Sequence, residues 1–273
     1  METSELSEEQ WERLRPLLPP QKPHTGRPAN DHRTVINGIL WILRTGSPWR
    51  ALPERYGSWK TVSSRFYRWQ RAGVGDRILA ELQRQADAEG RLDWSLQFVD
   101  STVVRAHQHA AGAKGGTRKP KRLAGVGVAT ARRSTSGASG AASPRSGKPM
   151  VFVLTEGQRH EQPVLPLLID RAAVKRRGRG RPRIRPDRVA GDKGYGSPTV
   201  RRYLKGRGIK PIIPTKADEA PEPGFDRAAY RERNVVERLI NRLKQWRRIA
   251  TPDEKRAATY LAMLTIAAIV LWL

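Results

Sequence analysis

The chain has 273 residues, enough for one large domain or a small one followed by a larger one. It carries 52 Lys and Arg against 26 Asp and Glu, a formal charge of +26, which calls for a polyanionic partner, nucleic acid being the commonest. The absence of cysteine excludes a disulfide framework and a thiolate zinc site. METSELSEEQ has no apolar signal core. The 14 apolar residues 260–273 are too few for a membrane span and read as a buried core helix, with Trp246 and Trp272 in the core. A cytoplasmic, nucleoid-associated protein is expected.

In chain order, Ser7-Glu8-Glu9-Gln10 has the form of a capping box. It opens a helix through Leu18 that Pro19-Pro20 ends. QKPHTGRPAN is a polar, basic linker. Val35, Ile36, Ile39, Leu40, Ile42 and Leu43 mark a second helix, closed by Gly46. Trp59, Val62, Phe66 and Trp69 share one face of a third, and Lys60, Arg65, Arg68 and Arg71 lie elsewhere on it. Residues 1–90 are therefore expected to form a small all-α, helix-turn-helix-like DNA-binding domain, with those four cations as DNA contacts.

From residue 96 the pattern changes. LQFVDSTVV, MVFVLT, DRVAGDKGY and IKPIIPTK are β-type runs, and helical stretches at about 163–177, 197–206 and 227–246 separate them. The fold class of 96–273 is α/β. Within it, residues 171–188 hold nine Lys and Arg. This loop includes Arg179-Gly180-Arg181-Pro182, a core that can lie in a narrow A·T minor groove.

Three acids stand where chemistry can be placed. Asp100 ends the run LQFVD, Asp192 ends RVAGD ahead of Lys193-Gly194-Tyr195-Gly196, and Glu237 lies on the stretch YRERNVVERLINRLKQW. A carboxylate at the rim of a sheet is where α/β proteins keep their sites. Hard divalent cations take such oxygens, and two bound ions promote phosphodiester displacement. At about 100° per residue, Tyr230, Arg233, Glu237 and Lys244 form a polar stripe beside the apolar Val236, Leu239, Ile240 and Leu243. Arg233 would hold Glu237 ionised, and Lys244 would meet a DNA phosphate. His107, His109, Lys193 and Tyr195 are further candidates for DNA contact.

Tyr230-x2-Arg233-x3-Glu237-x6-Lys244 resembles the signature of bacterial insertion-sequence DDE transposases. FVDSTVVRAHQHAAGAKGG and VAGDKGYGSPTVRRYL resemble the other two blocks of the insertion sequence five family. LSEEQWERLRPLLP and GILWILRTGSPWRALPERYGSWKTVSSRFYRW resemble its N-terminal domain. The resemblance implies a ribonuclease-H-like catalytic domain, a mixed sheet flanked by helices, with two Mg²⁺ ions (or Mn²⁺). Asp100, Asp192 and Glu237 would be both catalytic residues and metal ligands, supported by Tyr230, Arg233 and Lys244. It further implies a homo-oligomer on DNA that cleaves at terminal inverted repeats and joins the freed 3′-OH to target DNA. A catalytically dead repressor and a structure-specific nuclease are the alternatives.

Residues 122–147 break the resemblance. They have almost no large apolar residue and no period, where the family carries a block resembling GRSRGG-x-STKIHL. G/C-rich codons for Arg122–Pro144, read from the third base of the first, spell AGRSRGGYSTKIHLRCERGGK. Two compensating frame changes, near Arg122 and Arg145, are the reading this suggests. An irregular segment and an impaired copy are then expected.

Overall fold

The computed structural model describes residues 5–21, 30–103, 125–133, 147–155, 162–176, 182, 185–215, 219, 222–254 and 256–273. By its contacts the chain falls into two compact units, residues 1–82 with 105–121 and 243–273, and residues 83–104 with 122–242.

The first unit is helical where it is described. Helix α1 (Glu8–Leu14) opens with the expected capping box: Ser7 Oγ accepts from Gln10 N–H, and the Gln10 side chain accepts from Ser7 N–H. The helix stops at Leu14, and a tight turn, Arg15–Leu17, follows with Pro16 inside it. Helix α2 (His32–Thr45) is capped by Asp31 and ends at Gly46 with φ +72°. A side chain there is excluded twice, by that backbone and by Arg247 Cβ, which an added Cβ would meet at 3.1 Å. Helix α3 (Trp59–Arg71) buries Val62 and Phe66. Helix α4 (Val74–Ala88) follows it, its first residues in this unit and those from Gln83 on in the second.

The last two helices of the chain also belong to this unit: the short α9 (Arg247–Ala250) and α10 (Ala257–Trp272), numbered in chain order. Helix α2 packs on α3 and α9, and α10 packs on α3 and α9. Apolar all round, α10 is a helix for an interior, and Tyr260, Met263, Leu264, Ala267, Ala268, Ile269 and Trp272 are buried. Trp246 is buried too. Among the described residues no helix is long and apolar enough to cross a membrane.

One expected DNA contact is corrected here. Arg65 is only 6% exposed. Its guanidinium donates to His32 Nδ1 (3.1 Å) and lies over Trp69. Nε2 of His32 then carries the proton, donated to Pro19 O at 3.0 Å. The helical period puts Arg65 one position before Phe66, at the border of the buried face, and the His32 acceptor draws it inward. Lys60, Arg68 and Arg71 are exposed. Burial, above all, and the neighbouring Arg65 hold the His32 pKa below its ordinary value. A base depressed in this way contributes stability above its ordinary pKa, and that stability is lost as pH falls through the lower folded value. Thermal unfolding between pH 7.5 and 5 is therefore expected to show a larger fall in Tm for the wild type than for His32→Gln.

The second unit is built on a five-stranded mixed sheet. Its strands are β1 (Leu92–Val103), β2 (Gly125–Arg133), β3 (Lys148–Thr155), β4 (Arg188–Ala190) and β5 (Lys210–Ile212), in the order β3-β2-β1-β4-β5. The β1–β2 and β2–β3 pairs are antiparallel, and β1–β4 and β4–β5 are parallel. Helices α5 (Leu165–Arg171) and α6 (Pro198–Gly206) pack on β2–β3 and on β5 respectively. The stretch read as one helix over 227–246 is two, α7 (Arg227–Arg231) and α8 (Asn234–Lys244). At the joint the backbone tightens: Arg233 N–H donates to Tyr230 O, and Val236 N–H to Arg233 O. Ala229, Val235, Val236 and Ile240 cover Leu96, Phe98, Ala190 and Ile212 on one face of the sheet.

Strand β2 overturns the expectation that 122–147 is irregular, as far as 125–133 is concerned. Val128 faces Asp100 on one side and Phe152 on the other. A ladder is made by backbone groups, which small residues supply as well as large ones, and β1 and β3 both need that partner. The chain also carries the period of two that a strand requires. Val126, Val128 and Thr130 alternate with Gly and Ala, and all three are buried. Thr130 Oγ1 donates to Lys148 O at 2.7 Å. Residues 122–124 and 134–146 lie outside the described residues.

Candidate active site

Pairing in β1 and β4 sets the site. Phe98 stands opposite Ala190 in the parallel pair. Two residues further along each chain come Asp100 and Asp192, so both emerge at the same end of adjacent strands. Alternation puts Asp100 on the face of β1 that Leu96 and Phe98 present to α8. Asp192 lies just past β4. Its Oδ1 accepts from Gly194 N–H at 3.0 Å and caps the turn Lys193–Tyr195. Gly191 is needed for space, since a Cβ there would meet Val99 Cγ2 at 3.1 Å and Tyr195 Cδ2 at 3.2 Å.

Arg233 joins two of the three acids. Its Nη2 donates to Asp100 Oδ1 at 3.1 Å and its Nη1 to Glu237 Oε1 at 2.9 Å. Asp100 Oδ1 also accepts from Ser101 N–H at 2.9 Å. The Asp100 side chain is 10% exposed, that of Arg233 17% and that of Glu237 48%. Burial pushes the Asp100 carboxyl above its usual range and the charge of Asp192 adds to this, against the pull of Arg233 and of the Ser101 N–H. Against its own burial, Arg233 is held charged by Asp100 first and also by Asp192. The guanidinium thus lies in the field of both aspartates and in contact with the glutamate.

The other expected site residues divide. Lys193 and Lys244 are exposed, Lys244 in the last turn of α8. Tyr230 is half-buried, with its ring 5.5 Å from Phe225, and anchors α7 on the core. The break before α8 takes it off the single stripe that one continuous helix would have formed. Tyr195 is corrected: it is fully buried and belongs to the core, not to a DNA-contacting surface. His107, His109, Arg179 and Arg181 lie outside the described residues.

Two functions of residues were not legible in the chain. The bond from Arg233 to Asp100 spans 133 positions, and no local pattern signals it. Arg201 donates to Gly196 O (3.2 Å) and Ile213 O (2.8 Å), which ties down the loop after Asp192. Its place within VAGDKGYGSPTVRRYL was the available signal.

The family described as "Transposase DDE domain" matches residues 95–273. The chain belongs to the DDE transposase family. A second family, described as "Putative transposase of IS4/5 family", matches residues 6–79 of this transposase-family chain. It is 43% identical over 129 residues, 46% of its own length, to "Uncharacterized protein y4sN" of Sinorhizobium fredii, covering 98% of that protein. It is 39% identical over 107 residues, 37% of its length, to "Insertion element IS402 uncharacterized 16.2 kDa protein" of Burkholderia cepacia, covering 73% of it. A third similarity, 36% over 121 residues, is to "Putative transposase for insertion sequence element IS402", also of Burkholderia cepacia. That match takes in 44% of this chain and 55% of the relative. No solved structure matches.

Carboxylate oxygens are the donors that Mg²⁺ and Mn²⁺ take, so the chemistry of Asp100, Asp192 and Glu237 fits a divalent cation. Two of them, Asp100 and Glu237, are bonded to Arg233. Among the described residues no three His, Cys, Asp or Glu stand grouped so as to hold a metal ion.

Proposed function

We propose that this protein binds the terminal inverted repeats of its insertion sequence, cleaves the DNA there and transfers the freed 3′-OH ends to target DNA. The observation that carries the reading is the Arg233 link, which joins an acid on the central strand to an acid on α8, with Asp192 beside the first. Asp100, Asp192 and Glu237 would hold divalent cations, two of them, as Mg²⁺ or Mn²⁺. When bound, such ions activate the attacking hydroxyl and stabilise the leaving oxygen. The chain's own residues give this chemistry its geometry. Asp100 presents its carboxylate from a paired strand, Asp192 from a turn that Arg201 ties down, and Arg233 bonds to Glu237 one turn along. The mixed sheet with α8 on one face supports a ribonuclease-H-like catalytic domain.

The helical unit would read the repeats through α2 and α3 in a helix-turn-helix-like manner. Lys60, Arg68 and Arg71 would serve as contacts, and Lys193 and Lys244 as further cations for phosphates. The protein would act as a homo-oligomer on DNA, in the cytoplasm and at the nucleoid. The test is a strand-transfer assay with the repeats that flank its own gene. Joined products support the reading, and binding of the repeats without any cleavage in Mg²⁺ or Mn²⁺ counts against it. In the same assay Lys244→Ala is expected to weaken DNA binding and to lower the salt slope by about one unit, as the loss of one phosphate contact does. An unchanged slope would remove Lys244 from the contact set.

A further inference from the structure

Arg233 takes one oxygen from each of two carboxylates that a metal would share. Asp100 Oδ1 already accepts two hydrogen bonds, from Arg233 and from Ser101 N–H. Glu237 turns Oε1 to the same guanidinium. The two carboxylates therefore face a cation that the chain itself supplies. The Asp100–Arg233 pair is largely buried, so water replaces neither partner cheaply. The Glu237 half of the link is half-exposed and correspondingly weak.

We propose that Arg233 is a built-in counter-cation, and that a divalent ion at Asp100 and Glu237 competes with the guanidinium for them. The inference rests on the reading of Asp100, Asp192 and Glu237 as metal ligands. A positive charge bonded to two of the three ligands opposes the entry of a doubly positive one at the same oxygens. The arrangement is otherwise stable, because the guanidinium fork satisfies two carboxylates at once. Arg233 sits in the tight joint between α7 and α8, outside both helices. Asp100 and Asp192 stay where their strand and turn put them, and the exchange moves one side chain. The reading has a direct rival. If Arg233 remained in place and oriented the carboxylates from behind, its removal would weaken metal binding by about 10–100-fold. The two ideas predict opposite signs.

The experiment is titration calorimetry of the full chain with Mn²⁺, without DNA, together with thermal unfolding at increasing Mn²⁺. The proteins are the wild type, Arg233→Gln, Arg233→Lys, Asp100→Asn and Asp192→Asn. Exchange predicts that Arg233→Gln binds Mn²⁺ at least about fivefold more tightly than the wild type. It also predicts a lower Tm for this variant without Mn²⁺ and a larger rise when Mn²⁺ is added. Arg233→Lys keeps the charge but loses the fork, and should fall between the two. If Arg233→Gln does not fold, Arg233→Lys decides by the same sign. Equal or weaker Mn²⁺ binding by the Arg233 variants overturns the exchange; if Asp100→Asn and Asp192→Asn lose Mn²⁺ in that same series, the ligand reading stands. Wild-type Mn²⁺ binding by both aspartate variants instead removes the ligand reading itself.

Discussion

Replacing Asp100 or Asp192 by Asn, or Glu237 by Gln, is expected to lower cleavage and strand transfer by about 10⁴-fold or more, the scale on which loss of one member of a catalytic constellation acts. Affinity for the terminal repeat should stay close to that of the wild type, because these groups act on the barrier and not on the phosphate backbone. Asp100→Asn carries a second expectation. Its carboxyl is raised by burial and by Asp192. A carboxylate with a raised folded pKa contributes stability below its ordinary pKa and loses it as pH rises through the folded value. At neutral pH its ionisation therefore opposes folding. The amide removes that cost but leaves Arg233 without its buried counter-charge, so the expectation lies in the slope: Tm should fall less steeply with rising pH in Asp100→Asn than in the wild type. An equal slope would show that Asp100 is not the titrating group. Strand transfer by any of the three variants at the wild-type rate would end the assignment.

The second large effect is expected from the C-terminus. Deleting residues 257–273 should unfold the helical unit and abolish specific binding of the repeat. Met263, Leu264, Ile269, Tyr260 and Trp272 are each buried, and burial of one such side chain contributes about 1.5–3 kcal/mol. Together they are comparable with the whole stability of a domain, about 5–15 kcal/mol. A fragment of residues 1–90, the domain the amino-acid pattern suggests, lacks this helix and is expected to be poorly folded and weakly specific. A single chain that links 1–82 to 243–273 should recover a cooperative thermal transition and preference for the repeat over random duplex. Circular dichroism melting and competition binding check both points. A fragment of 1–90 that melts as sharply as the linked chain would show that α10 is dispensable.

Much of the protein could be read from local pattern. The capping box at Ser7, the stop at Gly46 and the apolar faces of α2 and α3 follow from residues three and four apart, and such neighbours are fixed by the helix itself. The two acids after apolar runs, Asp100 and Asp192, were legible too, although β1 runs on past Asp100 to Val103 and only β4 stops ahead of its acid. Arg233 and Glu237 are one turn apart, so their pair was legible as well. Where local pattern failed, the reason was spatial. The period of two in 125–133 is carried by small residues, which give a weak hydrophobic signal, and only the neighbours β1 and β3 make it a strand. Arg65 looks like a surface cation until His32 supplies an acceptor inside. The break between α7 and α8 carries no proline or glycine to announce it.

The amino-acid sequence by itself determined the family, the basic character and the three acids, because motifs and charge are properties of the chain. Tertiary structure alone decided that one guanidinium holds Asp100 and Glu237 together, and that the last helix of the chain is core to the unit containing the first. Both depend on contacts between residues more than a hundred positions apart. Such contacts are set by how the sheet and the helices pack, and packing does not show in any single stretch of residues.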